Sequence, residues 1–111
     1  AESAAEYDAA RKILLSDIQE TLDILRTQDD IPDEMHQRNR RDMAFCPRLA
    51  QASVDRLFYA TGAGGLSLDN NLQRQFRDVH AAGAQLFLNW DINATVYGRA
   101  KLGLEVGGPV I

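Results

Sequence analysis

The sequence is organised around one glycine-rich stretch, Gly62-Ala63-Gly64-Gly65-Leu66-Ser67-Leu68. It leads into a predicted helix from about Asn71, which carries Arg74 and Arg77 in its first turns. Backbone amides, a helix N-terminus and two guanidinium groups converge there, and these groups bind phosphate. Glycines also suit a simple helix–helix turn, which is the alternative interpretation. The sequence therefore predicts either an oxyanion site or a plain turn at this point.

Two helical patterns precede the glycine stretch. In the first, from about Ser3 to Gln28, the apolar side lies at three-four spacing and comprises Tyr7, Ala10, Leu14, Ile18, Thr21, Leu22 and Leu25. The second pattern runs from about Asp33 to Thr61, and we expect Asp30 or Asp33 to cap it. Pro47 lies inside this pattern and predicts a kink or a break, because proline lacks a backbone donor.

Two more helical patterns follow the stretch. The third helix, capped by Asp69 or Asn70, has an inward stripe of Leu72, Phe76, Val79 and Ala82-Gly83. The last helix is capped near Asn89 and ends at about Leu102, where Gly103 follows. No segment alternates in the manner of a strand. The fold class predicted for residues 1–111 is therefore a single all-α domain, an up-down helical bundle.

Composition narrows the possible functions. The chain has 111 residues and a net charge of −4, which favours neither nucleic acid nor an anionic membrane as a partner. No apolar run approaches the roughly 20 residues of a membrane span. The single cysteine, Cys46, indicates a cytoplasmic location, and no metal-ligand spacing occurs. The chain lacks an initiator Met, so we expect a fragment of a longer polypeptide.

The glycine stretch, Arg77-Asp78-Val79-His80 and Asn89-Trp90-Asp91 together resemble the C-terminal helical domain of acyl-CoA dehydrogenase-like flavoproteins. They are most similar to the flavin-dependent monooxygenase branch. The resemblance implies that family's bundle lacking its first helix, in an enzyme that hydroxylates an aromatic or polycyclic substrate. It also implies reduced FMN or FAD as cofactor, a separate flavin reductase and a homo-oligomer, the tetramer being usual. The fragment alone is expected to be inactive.

The resemblance also implies which residues form the site. Those assigned to the phosphate-bearing part of the flavin are Gly62, Gly64, Gly65, Ser67, Arg74 and Arg77. The branch often carries two histidines after the Arg-Asp pair, and the second faces the flavin ring and substrate. Here the two positions hold His80 and Gln85, which become the catalytic candidates. A glutamine amide does not titrate, so Gln85 is expected to hydrogen-bond rather than to act as a base.

Two other functions stay open. An acyl-CoA dehydrogenase is the first, although the Glu-Gly-Thr sequence of that branch is absent and Asp91 is the nearest acid. A non-enzymatic helical interaction module is the second. Structural interpretations also stand beside the site assignments: Arg74 and Arg77 in ion pairs, His80 as a packing residue. The basic cluster of Arg38, Arg40 and Arg41 is interpreted as a solvated face.

Overall fold

The computed structural model describes residues 1–62 and 71–105. Every regular element in these ranges is helical. The elements are α1 (Glu2–Leu25), α2 (Asp33–Ala60), α3 (Asn71–Gly83), a 3-10 turn (Leu86–Leu88) and α4 (Trp90–Lys101). No strand occurs within the described ranges. The all-α prediction is confirmed, and α2 is the central helix because α1, α3 and α4 all pack against it.

The contact between α1 and α2 is largely polar. The Ser3 hydroxyl donates to the Ser53 carbonyl at 3.3 Å, and the Ser53 hydroxyl donates to the Ser3 carbonyl at 3.2 Å. Further along, the Asn39 amide donates to the Thr21 hydroxyl at 2.9 Å. Arg56 on α2 pairs with Glu6 on α1. Small and hydrogen-bonding side chains thus hold these two long helices together.

The large apolar side chains of α1 are only partly covered by α2. Six of them are between 38% and 62% exposed, namely Tyr7, Leu14, Leu15, Ile18, Leu22 and Leu25. An open groove of about 580 Å³ runs between these side chains and Met43 and Pro47 of α2. The smaller members of the predicted apolar side, Ala10 and Thr21, contact α2 instead, which spacing alone did not reveal.

For α2 the predicted cap is wrong, and of the kink or break predicted at Pro47 the break does not occur. Its N-cap residue is Pro32, and neither Asp30 nor Asp33 caps it. The Asp30 carboxylate instead accepts a hydrogen bond from the Ile31 amide at 2.8 Å. The helix also runs through Pro47 without a break, since one element extends from Asp33 to Ala60. A single helix of 28 residues therefore contacts α1, α3 and α4.

The end of α2 and both ends of α4 follow the sequence signals, whereas the predicted caps of α3, Asp69 or Asn70, lie outside the described residues. Gly62 and Gly103 adopt the left-handed conformation, with φ of 61° and 71°, just beyond the ends of α2 and α4. The Asn89 side chain caps α4 by accepting from the Ile92 amide at 3.1 Å. Phe76 of α3 stacks on Phe58 of α2 with ring centroids 4.4 Å apart, as the inward stripe predicted.

Candidate functional site

The predicted phosphate-binding glycines are only partly within the described residues. Gly62 ends the α2 region in a left-handed, exposed conformation, and open space surrounds the position that a β-carbon would take. The predicted positions Gly64, Gly65 and Ser67 lie outside the described residues. Gly62 therefore contributes an exposed backbone position immediately before the rest of the glycine stretch.

Arg74 and Arg77 lie in the first two turns of α3, and both are exposed. Three residues separate them, so they project from the same side of the helix. The Arg74 guanidinium pairs with Asp78 at 3.7 Å, and the two side chains are 77% and 71% exposed. The predicted ion pair is confirmed, and it is a weak one because both partners are solvated. The arginines therefore remain accessible to an anionic ligand.

His80 is held between α2 and α3. Its Nε2 atom lies 2.6 Å from Oδ1 of Asp55, and its ring lies 4.5 Å from the ring of Phe76. The imidazole is thus fixed by a hydrogen bond on one edge and by an aromatic contact on its side. Its remaining surface is open, since the side chain is 42% exposed. The packing interpretation and accessibility to a ligand hold at the same time.

Gln85 lies beyond the end of α3, in the link of residues 84–89 that joins α3 to α4. It is exposed and takes an extended conformation immediately before the 3-10 turn. Its backbone amide donates to the Ala82 carbonyl at 3.2 Å. About 13 Å of helix separates Arg74 from Gly83 at 1.5 Å per residue. His80 and Gln85, the two catalytic candidates, therefore come after the arginines in the order of the chain, towards and beyond the end of α3.

A buried asparagine fixes the 84–89 link, and sequence reasoning missed it. Asn93 on α4 is fully buried. Its amide nitrogen donates to the carbonyls of Leu86 at 3.0 Å and Asn89 at 2.7 Å. Its oxygen accepts from Nε of Arg40 at 2.7 Å. An asparagine three residues before the buried Val96 was the available sequence signal, because polar groups on a core-facing side need partners.

The basic cluster on α2 is not a solvated face, so that interpretation is wrong. Arg38 lies 3.0 Å from Glu20 and 3.6 Å from Asp17, both on α1. Arg41 pairs with the adjacent Asp42 at 2.8 Å and also donates to the Tyr97 hydroxyl of α4 at 3.1 Å. The remaining member, Arg40, is the partner of Asn93 described above. These arginines therefore connect α2 to α1 and α4.

Burial raises the pKa of two groups near the basic cluster. It raises the pKa of Asp17 to about 6, helped by a hydrogen bond and the negative charge of Asp42 and opposed by Arg38. It also raises the pKa of the Cys46 thiol to about 11, and Asp42 and Asp17 add to that effect. A thiol with a raised pKa is a poor nucleophile at neutral pH. Cys46, which is 3% exposed, is therefore interpreted as a packing residue.

A polar cleft of about 320 Å³ opens where α2 meets the end of α3 and the start of α4. Arg48, Gln51 and Trp90 line it, and the Arg48 guanidinium lies 5.4 Å from the Trp90 ring centroid. Gly83 also lines the cleft, and a β-carbon there would stand 1.9 Å from the amide nitrogen of Gln51. Any side chain at residue 83 would therefore require the Gln51 amide to move.

Two other kinds of site have no support within residues 1–62 and 71–105. No group of three or more histidine, cysteine, aspartate or glutamate side chains in these ranges is arranged to hold a metal ion. Across the same ranges, no helix combines the length and the apolar character needed to cross a bilayer.

Comparison with known proteins gives the chain a family. Residues 1–90 match the acyl-CoA dehydrogenase C-terminal domain. The chain is 37% identical, over 97% of its length, to the oxygenase component of the FADH(2)-dependent resorcinol hydroxylase of Rhizobium sp.. It covers 27% of that protein.

Solved structures agree with this match. The 3-HSA hydroxylase from Rhodococcus sp. RHA1 superimposes on 97% of the chain with a TM-score of 0.88 and 30% identity. XiaF from Streptomyces sp., solved in complex with FADH2 and glycerol, covers 98% of the chain with a TM-score of 0.88 and 28% identity. The chain spans 28% of the length of each of these two proteins. This chain belongs to the acyl-CoA dehydrogenase C-terminal domain family.

Proposed function

We propose that this chain is the helical C-terminal part of the oxygenase component of a reduced-flavin-dependent monooxygenase that hydroxylates an aromatic or polycyclic substrate. The observation that carries the proposal is the match, over 97% of the chain, to the oxygenase component of a resorcinol hydroxylase. Two of the related proteins are named as hydroxylases, and the structure of a third contains FADH2. Reduced FAD is accordingly the proposed flavin, with FMN as the alternative. The term oxygenase component also supports a separate reductase as a partner.

The residues at the start of α3 fit the anionic part of a flavin. Arg74 and Arg77 are exposed on one side of the helix, and guanidinium groups bind phosphate oxygens in pairs of hydrogen bonds. In the proposal, they hold the phosphates together with the backbone of the glycine stretch, at Gly62, Gly64, Gly65 and Ser67. Arg74 is available because its pairing with Asp78 is solvated and therefore weak.

The residues at the other end of α3 are proposed to contact the ring and the substrate. His80 lies about two turns beyond Arg74, and Gln85 follows in the link after the helix. In both FAD and FMN the ribityl chain separates the isoalloxazine ring from the phosphate groups, so this order along α3 supports the assignment. The Gln85 amide orients a ligand by hydrogen bonds, since it cannot exchange a proton at neutral pH.

When bound, the reduced flavin supplies the activation of dioxygen, while the protein binds, orients and shields the reactants. Asn93 and Arg40 support that task because they fix the 84–89 link. The same link supports hydroxylation over dehydrogenation of an acyl-CoA: residues 84–89 contain no carboxylate to remove a proton from a thioester substrate. A homotetramer and a cytoplasmic location complete the proposal.

The test uses the full-length protein that contains this chain. It is expected to bind reduced flavin, to consume oxygen only when a flavin reductase and NADH are supplied, and to convert a phenolic probe such as resorcinol or a polycyclic phenol. Residues 1–111 alone are expected to give no turnover. If the protein is purified with tightly bound oxidised FAD, and an acyl-CoA reduces that FAD, the protein is instead a dehydrogenase. If the full-length protein binds no flavin, the result favours the other alternative, a non-enzymatic helical interaction module.

A further inference from the structure

The contact between His80 and Asp55 determines which ring nitrogen carries the proton. Nε2 of His80 and Oδ1 of Asp55 are 2.6 Å apart. A carboxylate offers only acceptors, so Nε2 must be the donor in this bond. In a neutral imidazole the second nitrogen then has no hydrogen. Nδ1 is therefore the atom of His80 that can accept a further hydrogen bond.

Three aromatic and polar contacts hold the ring in one orientation. Phe76 lies one turn before His80 on α3, and the two rings are 4.5 Å apart with an interplanar angle of 48°. Phe76 in turn stacks on Phe58 of α2 at 4.4 Å and 24°. Asp55 and Phe58 thus approach the same pair of α3 side chains from one helix. An imidazole fixed in this way is pre-organised for a ligand.

We propose that Asp55 is a positioning residue for His80, which presents Nδ1 as an acceptor for an O–H or N–H group of a ligand. The inference rests on the proposed function, in which His80 lies beside flavin and substrate. An unprotonated nitrogen selects a hydrogen-bond donor and repels an anionic oxygen. The hydroxyl of a phenolic substrate and a ring N–H of the reduced flavin are the donors that such a reaction provides.

The chain contains a matched pair for control experiments. His36 and Asp30 also form an imidazole–carboxylate contact, with Nε2 and Oδ1 3.0 Å apart. This pair lies at the start of α2, and its side chains are 53% and 75% exposed. Asp30→Ala therefore removes the same kind of hydrogen bond at a place that has no part in the proposal.

The first experiment measures the ring tautomer in the 111-residue chain and needs no flavin. Two-bond ¹H–¹⁵N correlation spectra are recorded at pH 8, where an ordinary imidazole is neutral. His80 is expected to show a protonated Nε2 and a bare Nδ1. Asp55→Ala removes this preference, Asp55→Asn keeps most of it because an amide oxygen still accepts, and Asp30→Ala leaves it intact. A protonated Nδ1, or a tautomer that Asp55→Ala does not alter, overturns the proposal.

The second experiment measures product formed per reduced flavin oxidised in the full-length protein, with reduced FAD and resorcinol as probes. Asp55→Ala and His80→Ala are each expected to lower this yield roughly tenfold or more. The double variant should give about the same yield as the single variant with the lower yield, because both changes remove the same function. Additive losses, or an Asp55→Ala loss no larger than that of Asp30→Ala, contradict the assignment. Circular dichroism checks folding, and Asp55→Leu, which also lacks an acceptor, replaces Asp55→Ala if the latter unfolds.

Two binding measurements identify the donor. Weaker binding of reduced FAD in both variants assigns the donor to the flavin, whereas a raised KM for resorcinol alone assigns it to the substrate hydroxyl. Failure of the wild-type protein to form a hydroxylated product from any phenolic probe, with reduced FAD and oxygen supplied, would reject the proposed function. The tautomer experiment would still decide the role of Asp55, so the two failures are distinguishable.

Discussion

Arg40 Nε donates a 2.7 Å hydrogen bond to Oδ1 of Asn93, which joins the middle of the bundle to the link between α3 and α4. Asn93 is fully buried, and its amide nitrogen holds two carbonyl groups of that link. One side chain of α4 is thus bonded both to α2 and to the link of residues 84–89. The first prediction concerns the removal of this side chain.

Asn93→Ala is expected to lower the free energy of unfolding by about 2–4 kcal/mol, because it leaves buried polar groups without partners. Urea unfolding followed by circular dichroism measures the change. Asn71→Ala, at the exposed first residue of α3, is the control and should stay within about 0.5 kcal/mol of the wild type. Equal effects of the two substitutions would show that the Asn93 hydrogen bonds contribute little.

The raised pKa of Asp17 predicts how stability depends on pH. Its pKa rises from 3.8 to about 6 on folding, so the folded state favours the protonated form. The associated stability is present below about pH 4 and is lost as the pH rises through about 6. The free energy of unfolding should therefore fall between pH 5 and pH 7, as measured by urea unfolding at each pH.

Asp17→Asn tests this cause directly. An amide stays neutral, so the variant should lose most of the slope between pH 5 and pH 7 and should be more stable than the wild type at pH 7.5. Asp8→Asn, at an exposed position of the same helix, should keep the wild-type slope. A slope that survives in Asp17→Asn would mean that another group is responsible.

Arg77→Ala is expected to weaken flavin binding by the full-length protein roughly 5- to 10-fold, because one charge-assisted contact to phosphate is lost. The melting temperature should change little, since the side chain is exposed. Fluorescence titration with FAD and with FMN measures the dissociation constants. Arg26→Ala removes another exposed arginine, 72% exposed and paired with Asp23 of α1, and serves as the control. An unchanged dissociation constant in Arg77→Ala would reject the phosphate assignment.

The two sides of α1 should respond differently to truncation. Ile18 on the exposed face is 54% exposed, whereas Ile13 is partly covered. Ile13→Ala is expected to cost about 2 kcal/mol of unfolding free energy and Ile18→Ala less than about 1 kcal/mol. Urea unfolding of both variants measures the difference. The opposite order would mean that the apolar face of α1 is the one that carries its packing in this chain.

Local signals were enough to predict most element ends. Asn89 caps α4, and Gly62 and Gly103 end helices in left-handed conformations, because these effects depend on neighbours within one turn. The environment of the basic cluster depends on distant partners and was not predictable. Arg38 needs Asp17, twenty-one positions away, and Arg41 needs Tyr97, fifty-six positions away. Spacing within a helix carries no information about such contacts.

The candidate site divides in the same way. The family resemblance pointed to His80 from its position after the Arg-Asp pair, but the partner Asp55 lies on a different helix, twenty-five residues away. Asn93 was not recognised, since an asparagine in a helix is usually exposed. In both cases the missing information was which sides of two helices face each other.

Gly83 and Gln51 allow a last prediction whose sign depends on the background. Alanine is favoured over glycine in a helix by about 1 kcal/mol, but a β-carbon at residue 83 would stand 1.9 Å from Nε2 of Gln51. Gly83→Ala in the wild type must displace that amide, which otherwise donates to the Val79 carbonyl at 3.5 Å. The substitution should therefore be neutral or destabilising. In a Gln51→Ala background the obstacle is absent, so Gly83→Ala should stabilise by about 0.5–1 kcal/mol. Thermal and urea unfolding of the four proteins measures the cycle, and equal effects in both backgrounds would show that Gln51 does not limit the residue at 83.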